Sequence, residues 1–317
     1  MYFWGFTCIS RYTILFVWAS ELFPPGNGTQ AITALRAMIG TTLFLMNFYF
    51  MYVSRSIQPA LLASFFASII VVILVYLLPE SPKWLLSLGW EKEAINSFLT
   101  IGRYNKKDKV VLKRLKTAED RLDVPMSPKT AINTYALVDD SLFRHNLIVC
   151  VILWTGTTFS QYLASYTLKN LRGDFYMNLY ASTSSEVAAI ILSGIFAAEY
   201  NFKSTLMGGY VLAAVTGFFV AMGNGKYEYL YALAVLLSRF GVCITFNMNY
   251  VAVQRLFPSA ILSTVFGITN VFARFITVFA PLIAERPDPQ PMALFTMIMI
   301  LCFLITATLD TNKQYSS

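Results

Sequence analysis

Ionisable side chains inside apolar sequence are the residues able to do chemistry in this chain. Arg11, Glu186, Arg239 and Arg274 each lie about nine to fifteen residues inside an otherwise apolar run. At about 1.5 Å of helix rise per residue, that depth places all of them near the middle of a hydrocarbon core about 30 Å thick. A central arginine costs at least about 2.5 to 3.5 kcal/mol on insertion scales, so each needs a reason to be there. Ion pairing supplies one, with Glu186 satisfying Arg239 or Arg274. Recognition of an anionic solute supplies another, because a desolvated guanidinium grips carboxylate or sulfonate through two parallel hydrogen bonds. Three arginines against one glutamate leave roughly two positive charges that no pairing within the set neutralises. Trp154, Phe159, Tyr162, Tyr166, Phe246 and Tyr250 supply aromatic walls for an organic body, although each aromatic alone also suits simple packing.

The elements that carry these residues are long apolar helices. The chain is 56% apolar and 13% charged, far from ordinary soluble usage. Nine runs are long enough to span a bilayer, near 2–24, 32–54, 57–78, 145–167, 177–198, 204–222, 229–253, 260–284 and 292–309, against about 20 residues needed. The reading is an all-α, polytopic, multi-pass integral membrane protein with nine predicted transmembrane helices, three before a charged segment and six after it.

The net charge of +7 does not point to nucleic acid, because of where it sits. Twelve of the 24 Lys and Arg fall in 79–144, beside nine acids. A juxtamembrane loop this basic is expected in the cytoplasm, with contact to anionic lipid or a partner as the less favoured use of the same charge. Within it, 91–99 and 109–122 have the pattern of short surface helices, and Pro125 and Pro128 interrupt the chain. The C-terminus is expected on the same side, which also leaves the sequon at Asn27 facing the cytoplasm and unused.

Other chemistries have little support. Cys8, Cys150, Cys243 and Cys302 each fall in a predicted span and read as small packing residues, and His145 stands alone at a helix entrance. No metal site, disulfide framework or cofactor follows. There is no Gly-rich phosphate loop and no Ser-His-Asp set, so an enzyme is not expected.

After the third run come Pro79, Glu80, Ser81, Pro82, Lys83 and Trp84, followed by Gly89, Glu93 and Ala94. This resembles the Pro-Glu-Ser-Pro-Arg-Trp segment at the cytoplasmic end of helix six in the organic cation/organic anion transporter family of the major facilitator superfamily, with Lys83 for the Arg. Further matches follow in order: Phe159 to Tyr162, Asn170 to Asn178 leading to Glu186, Arg239-Phe240-Gly241 with Phe246-Asn247, and Ala273-Arg274 with Ala280-Pro281.

The resemblance implies helices four to twelve of a twelve-helix fold, helices one to three being absent from the sequence. The implied organisation is 1–78 as part of an N-terminal half, 79–144 as cytoplasmic linker, 145–309 as a C-terminal six-helix half and 310–317 as tail. It also places the uncharged runs 57–78, 204–222 and 292–309 as outer supporting helices. That is the partition a central polar cavity predicts, since lipid-facing helices do not host ions.

The family's paired cytoplasmic gate motif, Glu-Leu-Phe-Pro with an Arg seven residues after the Glu, is altered. Glu21 is kept but Gly28 replaces the Arg; in the second copy Arg255 replaces the Glu and Leu262 the Arg. The lost pairs are expected to weaken that gate. The implied function is transport of small organic ions, organic anions or zwitterions, by alternating access, with membrane lipid as surroundings and no identified coupling ion. Because Met1 opens inside an apolar run, an incomplete sequence is expected. A non-transporting membrane scaffold derived from a shortened carrier is the competing reading.

Overall fold

A computed structural model describes residues 15–19, 22–23, 28–106, 140–167, 175–223 and 228–311. Arg11, Glu21, Cys8, the sequon asparagine Asn27, the expected helix over 109–122 and most of the C-terminal tail lie outside the described residues. Among the described residues all regular structure is helical, as expected of backbone that must satisfy its own N–H and C=O groups in lipid.

Eight helices are long and apolar enough to cross a membrane, at Gly28–Val53, Gln58–Leu77, Ser141–Tyr166, Tyr176–Glu199, Phe202–Met222, Tyr229–Leu256, Ile261–Ala284 and Gln290–Ala307. They coincide with eight of the nine expected runs. The first run is described only in part, and residues 15–19 of it are helical. We number the helices α1 (Gly28–Phe48), α2 (Gln58–Leu77), α3 (Pro82–Ser87), α4 (Glu91–Tyr104), α5 (Ser141–Thr167), α6 (Phe175–Glu199), α7 (Phe202–Met222), α8 (Glu228–Leu256), α9 (Ser259–Thr277), α10 (Ala280–Ala284) and α11 (Gln290–Ala307).

Local chemistry sets the boundaries. The α5 helix begins four residues before the expected span because Asp140 caps it, accepting a hydrogen bond from Leu142 N–H at 3.0 Å. Ser81 caps α3 in the same way, accepting from Trp84 N–H at 3.2 Å, with Pro82 at the first helical position. Pro258 stands between α8 and α9. Pro281 opens α10, so the run expected at 260–284 is broken after Thr277. The C-terminal carbonyls of α11 are held from neighbouring helices: Lys203 Nζ donates to Ala307 and Leu309 at 3.0 and 2.7 Å, and His145 Nε2 lies 2.9 Å from Thr308 O. His145 is thus a tie at a helix end.

The bundle is centred on α8, which packs against α1, α5, α6, α7 and α9. Lipid gives apolar faces no reason to pair, so close packing and internal hydrogen bonds must do it. Small residues permit the approach: a Cβ on Gly241 of α8 would lie 2.7 Å from Ala213 N and 2.9 Å from Gly209 O on α7. Hydroxyls inside the helices bond their own carbonyls one turn back, as Thr158, Thr216, Thr296 and Thr306 do at 2.7 to 2.8 Å. By contrast α2 buries none of its residues, while α7 and α11, expected with it as outer supporting helices, bury part of their surface against neighbouring helices.

Gly241→Ala should therefore destabilise, because the added methyl meets backbone that cannot turn aside. A loss of about 1 to 3 kcal/mol is expected, seen as a lower unfolding midpoint of the purified protein in detergent. Gly208→Ala, which meets nothing within 4 Å, should leave that midpoint unchanged or raise it.

Candidate functional site

Four residues of α8, Arg239, Cys243, Phe246 and Tyr250, recur at i, i+4, i+7 and i+11 and so share one face of the helix. Arg239 is buried there, 3.5 Å from Glu186 of α6, and donates to Ser165 Oγ of α5 at 2.8 Å. One guanidinium thus joins three helices. Of the two pairings open in the sequence, Glu186 takes Arg239. The Nε of Arg239 has no partner among the described residues.

The same spacing recurs on α1, where Thr29, Thr33, Arg36 and Gly40 are all buried. Each meets a different contact. Thr29 Oγ1 accepts from Arg255 at 3.2 Å from Nε and 2.6 Å from a terminal nitrogen. Thr33 Oγ1 accepts from Asn247 Nδ2 at 3.3 Å, and that amide also donates to Ser193 Oγ of α6 at 2.8 Å. Gly40 admits Val187. Arg36, only 8% exposed, lies over the rings of Phe246 and Tyr250 at 4.5 and 5.3 Å.

Around those rings is a connected aromatic cluster. Tyr250 contacts Trp154 and Phe16, each at 4.5 Å between centroids, and Phe266 at 5.7 Å. Trp154 also reaches Phe246 at 6.2 Å and Phe266 at 5.6 Å. Below it, Asn249 donates to Thr157 Oγ1 at 3.0 Å, and Thr157 and Tyr210 share a hydrogen bond at 2.8 Å.

Arg274 stands apart from the Glu186–Arg239 pair. It is exposed on α9 and donates to the Tyr162 hydroxyl at 2.5 Å, with its guanidinium carbon 5.8 Å from the ring centre. Tyr162 is likewise exposed, as a hydrogen-bond partner of the arginine. Phe159 is 6% exposed and packs within the hydrophobic core, and among the described residues no ring or charge contact sets it beside the arginines. Phe246, Tyr250 and Trp154 are the expected aromatics that the fold does gather around a buried charge.

At the end of the bundle where 79–106 emerges, the altered motif residues meet. Arg255 also lies over Phe202 at 5.4 Å. A Cβ on Gly28 would come within 2.3 Å of Gln254 Nε2. Lys83 donates to Phe23 O at 3.0 Å, joining the two motifs directly. Ser97 donates to Glu80 O, and Trp84 stacks edge-on to Trp90. Pro79 and Glu80 therefore lead into a short docked helix pair, α3 and α4. The expected surface helix over 91–99 is found as the longer α4.

Arg36 is the functional candidate that the sequence reading passed over. Its signal was present: an arginine within the apolar run 32–54. The run's edge masked it, since the helix begins at Gly28 rather than at 32, which carries Arg36 eight residues, or about 12 Å, from the helix start.

Comparison with known proteins supplies a frame for this geometry. A family profile described as Major Facilitator Superfamily matches residues 3–281. The organic cation/carnitine transporter 2 of Rattus norvegicus is 23% identical over 282 residues, 87% of this chain and 49% of that protein. Solute carrier family 22 member 21 of Mus musculus is 23% identical over 95% of this chain and 54% of its own length. The organic cation/carnitine transporter 4 of Arabidopsis thaliana is 23% identical over 82% and 51%. The chain spans about half the length of the curated relatives it matches. Among solved structures, the proton:xylose symporter XylE bound to 6-bromo-6-deoxy-D-glucose superposes with a TM-score of 0.71 at 14% identity, over 95% of this chain and 68% of that one.

Breaking the buried pair on one side should be worse than removing it. Glu186→Gln leaves Arg239 charged and unmatched, a loss of about 3 kcal/mol or more, measured as a fall in the unfolding midpoint in detergent. The double change Glu186→Gln with Arg239→Gln should recover part of that loss, the coupling expected of residues in direct contact.

Proposed function

The chain belongs to the Major Facilitator Superfamily, and on that premise we propose that it carries small organic ions across a membrane by alternating access, with organic anions or zwitterions as substrates. One observation carries the substrate class. Among the described residues, the span interiors hold Arg36, Arg239 and Arg274 against Glu186 alone, and Glu186 is committed to Arg239. Positive charge in excess at membrane depth calls for an anionic group on the solute.

The similar proteins named as organic cation/carnitine transporters support small organic ions as the cargo. A carnitine-type zwitterion, which carries a carboxylate beside its quaternary ammonium, reconciles those names with the excess of arginine. Arg274 takes the charged group through its in-plane N–H edge and Tyr162 orients the guanidinium. The protein acts as a carrier rather than an enzyme, and its substrate reaches the midplane between helices of the two halves, 1–78 and 145–309.

In this reading the basic segment 79–144 and the tail 310–317 face the cytoplasm. A cysteine placed at the exposed Tyr104 of α4 should react with an impermeant maleimide only after the membrane is opened; reaction in sealed, right-side-out vesicles overturns that orientation. For the substrate class, cells expressing the protein should accumulate a labelled organic anion or zwitterion. Arg274→Ala should reduce that uptake about tenfold or more, and Arg274→Lys should keep a part of it. Uptake of an organic cation that neither Arg274→Ala nor excess anion disturbs removes the anion assignment. Surface expression without uptake of any organic ion removes transport and leaves the membrane scaffold.

A further inference from the structure

We propose that Arg36 is a second carboxylate-binding residue, buried inside the bundle where Arg274 is exposed, a role that rests on the transport reading above. The residue is more than nine-tenths buried, yet among the described residues no carboxylate pairs with it and no acceptor takes a hydrogen bond from it. Its Nε in particular is buried and unpartnered. An arginine left in that condition inside a membrane bundle is unstable unless something anionic meets it.

Its surroundings dictate how that happens. Phe246 and Tyr250 lie against the guanidinium, their ring centres 4.5 and 5.3 Å from its central carbon. An aromatic ring accepts no ordinary hydrogen bond, so these contacts leave the parallel N–H groups that fit a carboxylate without an acceptor. The rings also fix the orientation of the side chain, so little rotamer freedom is lost on binding. The mid-span acid among the described residues is Glu186, which lies with Arg239 one stretch of α8 away. Seven to eleven residues separate Arg239 from the two rings, about 10 to 16 Å along the helix. Arg239 and the two rings that meet Arg36 share one face of α8, so both arginines pack on the same side of that helix. The adjoining wall of Trp154, Phe266 and Phe16 is apolar and suits the organic body of the solute.

A carboxylate with a compact organic body is therefore the ligand class, free anion or zwitterion alike. The test is equilibrium binding to the purified full chain in lipid nanodiscs, followed by thermal shift and by Trp154-sensitive fluorescence. Benzoate and L-carnitine are the probes, each compared with its uncharged-head amide. Both carboxylates, or one of them, should bind, and the amides should bind at least about tenfold more weakly. Arg36→Gln should weaken the carboxylate at least about tenfold, and Arg36→Lys should weaken it less. The ligand-free unfolding midpoint of Arg36→Gln should stay level or rise, because an unmatched buried charge has been removed.

A purely structural arginine gives the opposite pattern: Arg36→Gln lowers the midpoint while Arg36→Lys and the unsubstituted chain bind alike. That pattern overturns the proposal, as does carboxylate affinity unchanged in Arg36→Gln, equal affinity for the amides, or no binding of either carboxylate to the unsubstituted protein. Retained binding without uptake would instead count against transport and leave the Arg36 site standing.

Discussion

Inside a membrane the cost of an unmatched charge is high enough to decide where helices sit, and Arg239 is where that constraint is met. Its guanidinium reaches Glu186 on α6 and Ser165 on α5 from α8. Three helices that gain nothing from apolar contact in lipid are held at one level by a single buried side chain. Because Phe246 and Tyr250 lie two and three turns along the same face, fixing Arg239 also fixes the rings that cover Arg36. The rotational setting of α8 thus positions the candidate site twice over.

The packing around that pair differs from that of a soluble bundle in what it leaves outside. The buried residues of α1 are Thr29, Ala31, Ile32, Thr33, Arg36 and Gly40, most of them small or polar, while Met38, Leu43, Leu45 and Phe48 are exposed. Small and polar residues face inward because they permit close approach and supply hydrogen bonds, whereas apolar ones are as content in lipid as against each other. Asn247 shows the gain: one amide donates to Thr33 and to Ser193, so α1, α6 and α8 meet at a point with no charge involved. Where no polar tie is made, glycine does the same work through shape, as Gly209 and Gly241 do between α7 and α8.

Those facts explain what was legible in the sequence. Spans follow from length and apolarity, and eight of them coincide with the structure. Glu186, Arg239 and Arg274 were legible because a charge deep in an apolar run stands out by type. The partner of Glu186 was not, since the choice between Arg239 and Arg274 depends on which helix faces α6. Phe159 shows the limit for aromatics: buried Phe and Trp occur on every face of a helix packed on several sides, so residue type does not reveal which side a ring takes. Arg36 shows a different limit. Apolarity locates the core of a span but not its first turn, and Gly28 to Ala31 add that turn without adding hydrophobic signal. The polar i, i+4, i+7, i+11 stripe of α1 was the better signal, and it is visible in the residues alone.

At the other end of α8 the altered motifs show what packs where the expected ion pairs are missing. Replacing acid with Arg255 and arginine with Gly28 removes the family's ion pairs, and that loss was expected to weaken the closure. An exposed ion pair, however, contributes only about 1 kcal/mol or less. In its place Arg255 makes two hydrogen bonds to Thr29 and stacks over Phe202. Hydrogen bonds to a charged group contribute about 1.5 to 3 kcal/mol, so the exchange does not leave the contact weaker. Gly28 belongs to the same exchange: Gln254 occupies the space that any side chain at 28 would fill. An arginine restored there would have to displace Gln254 and would set a second positive charge beside Arg255. Arg255 and Gly28 therefore fit one packing arrangement, in which the Thr29 hydroxyl accepts from the guanidinium and Gln254 fills the space beside Gly28.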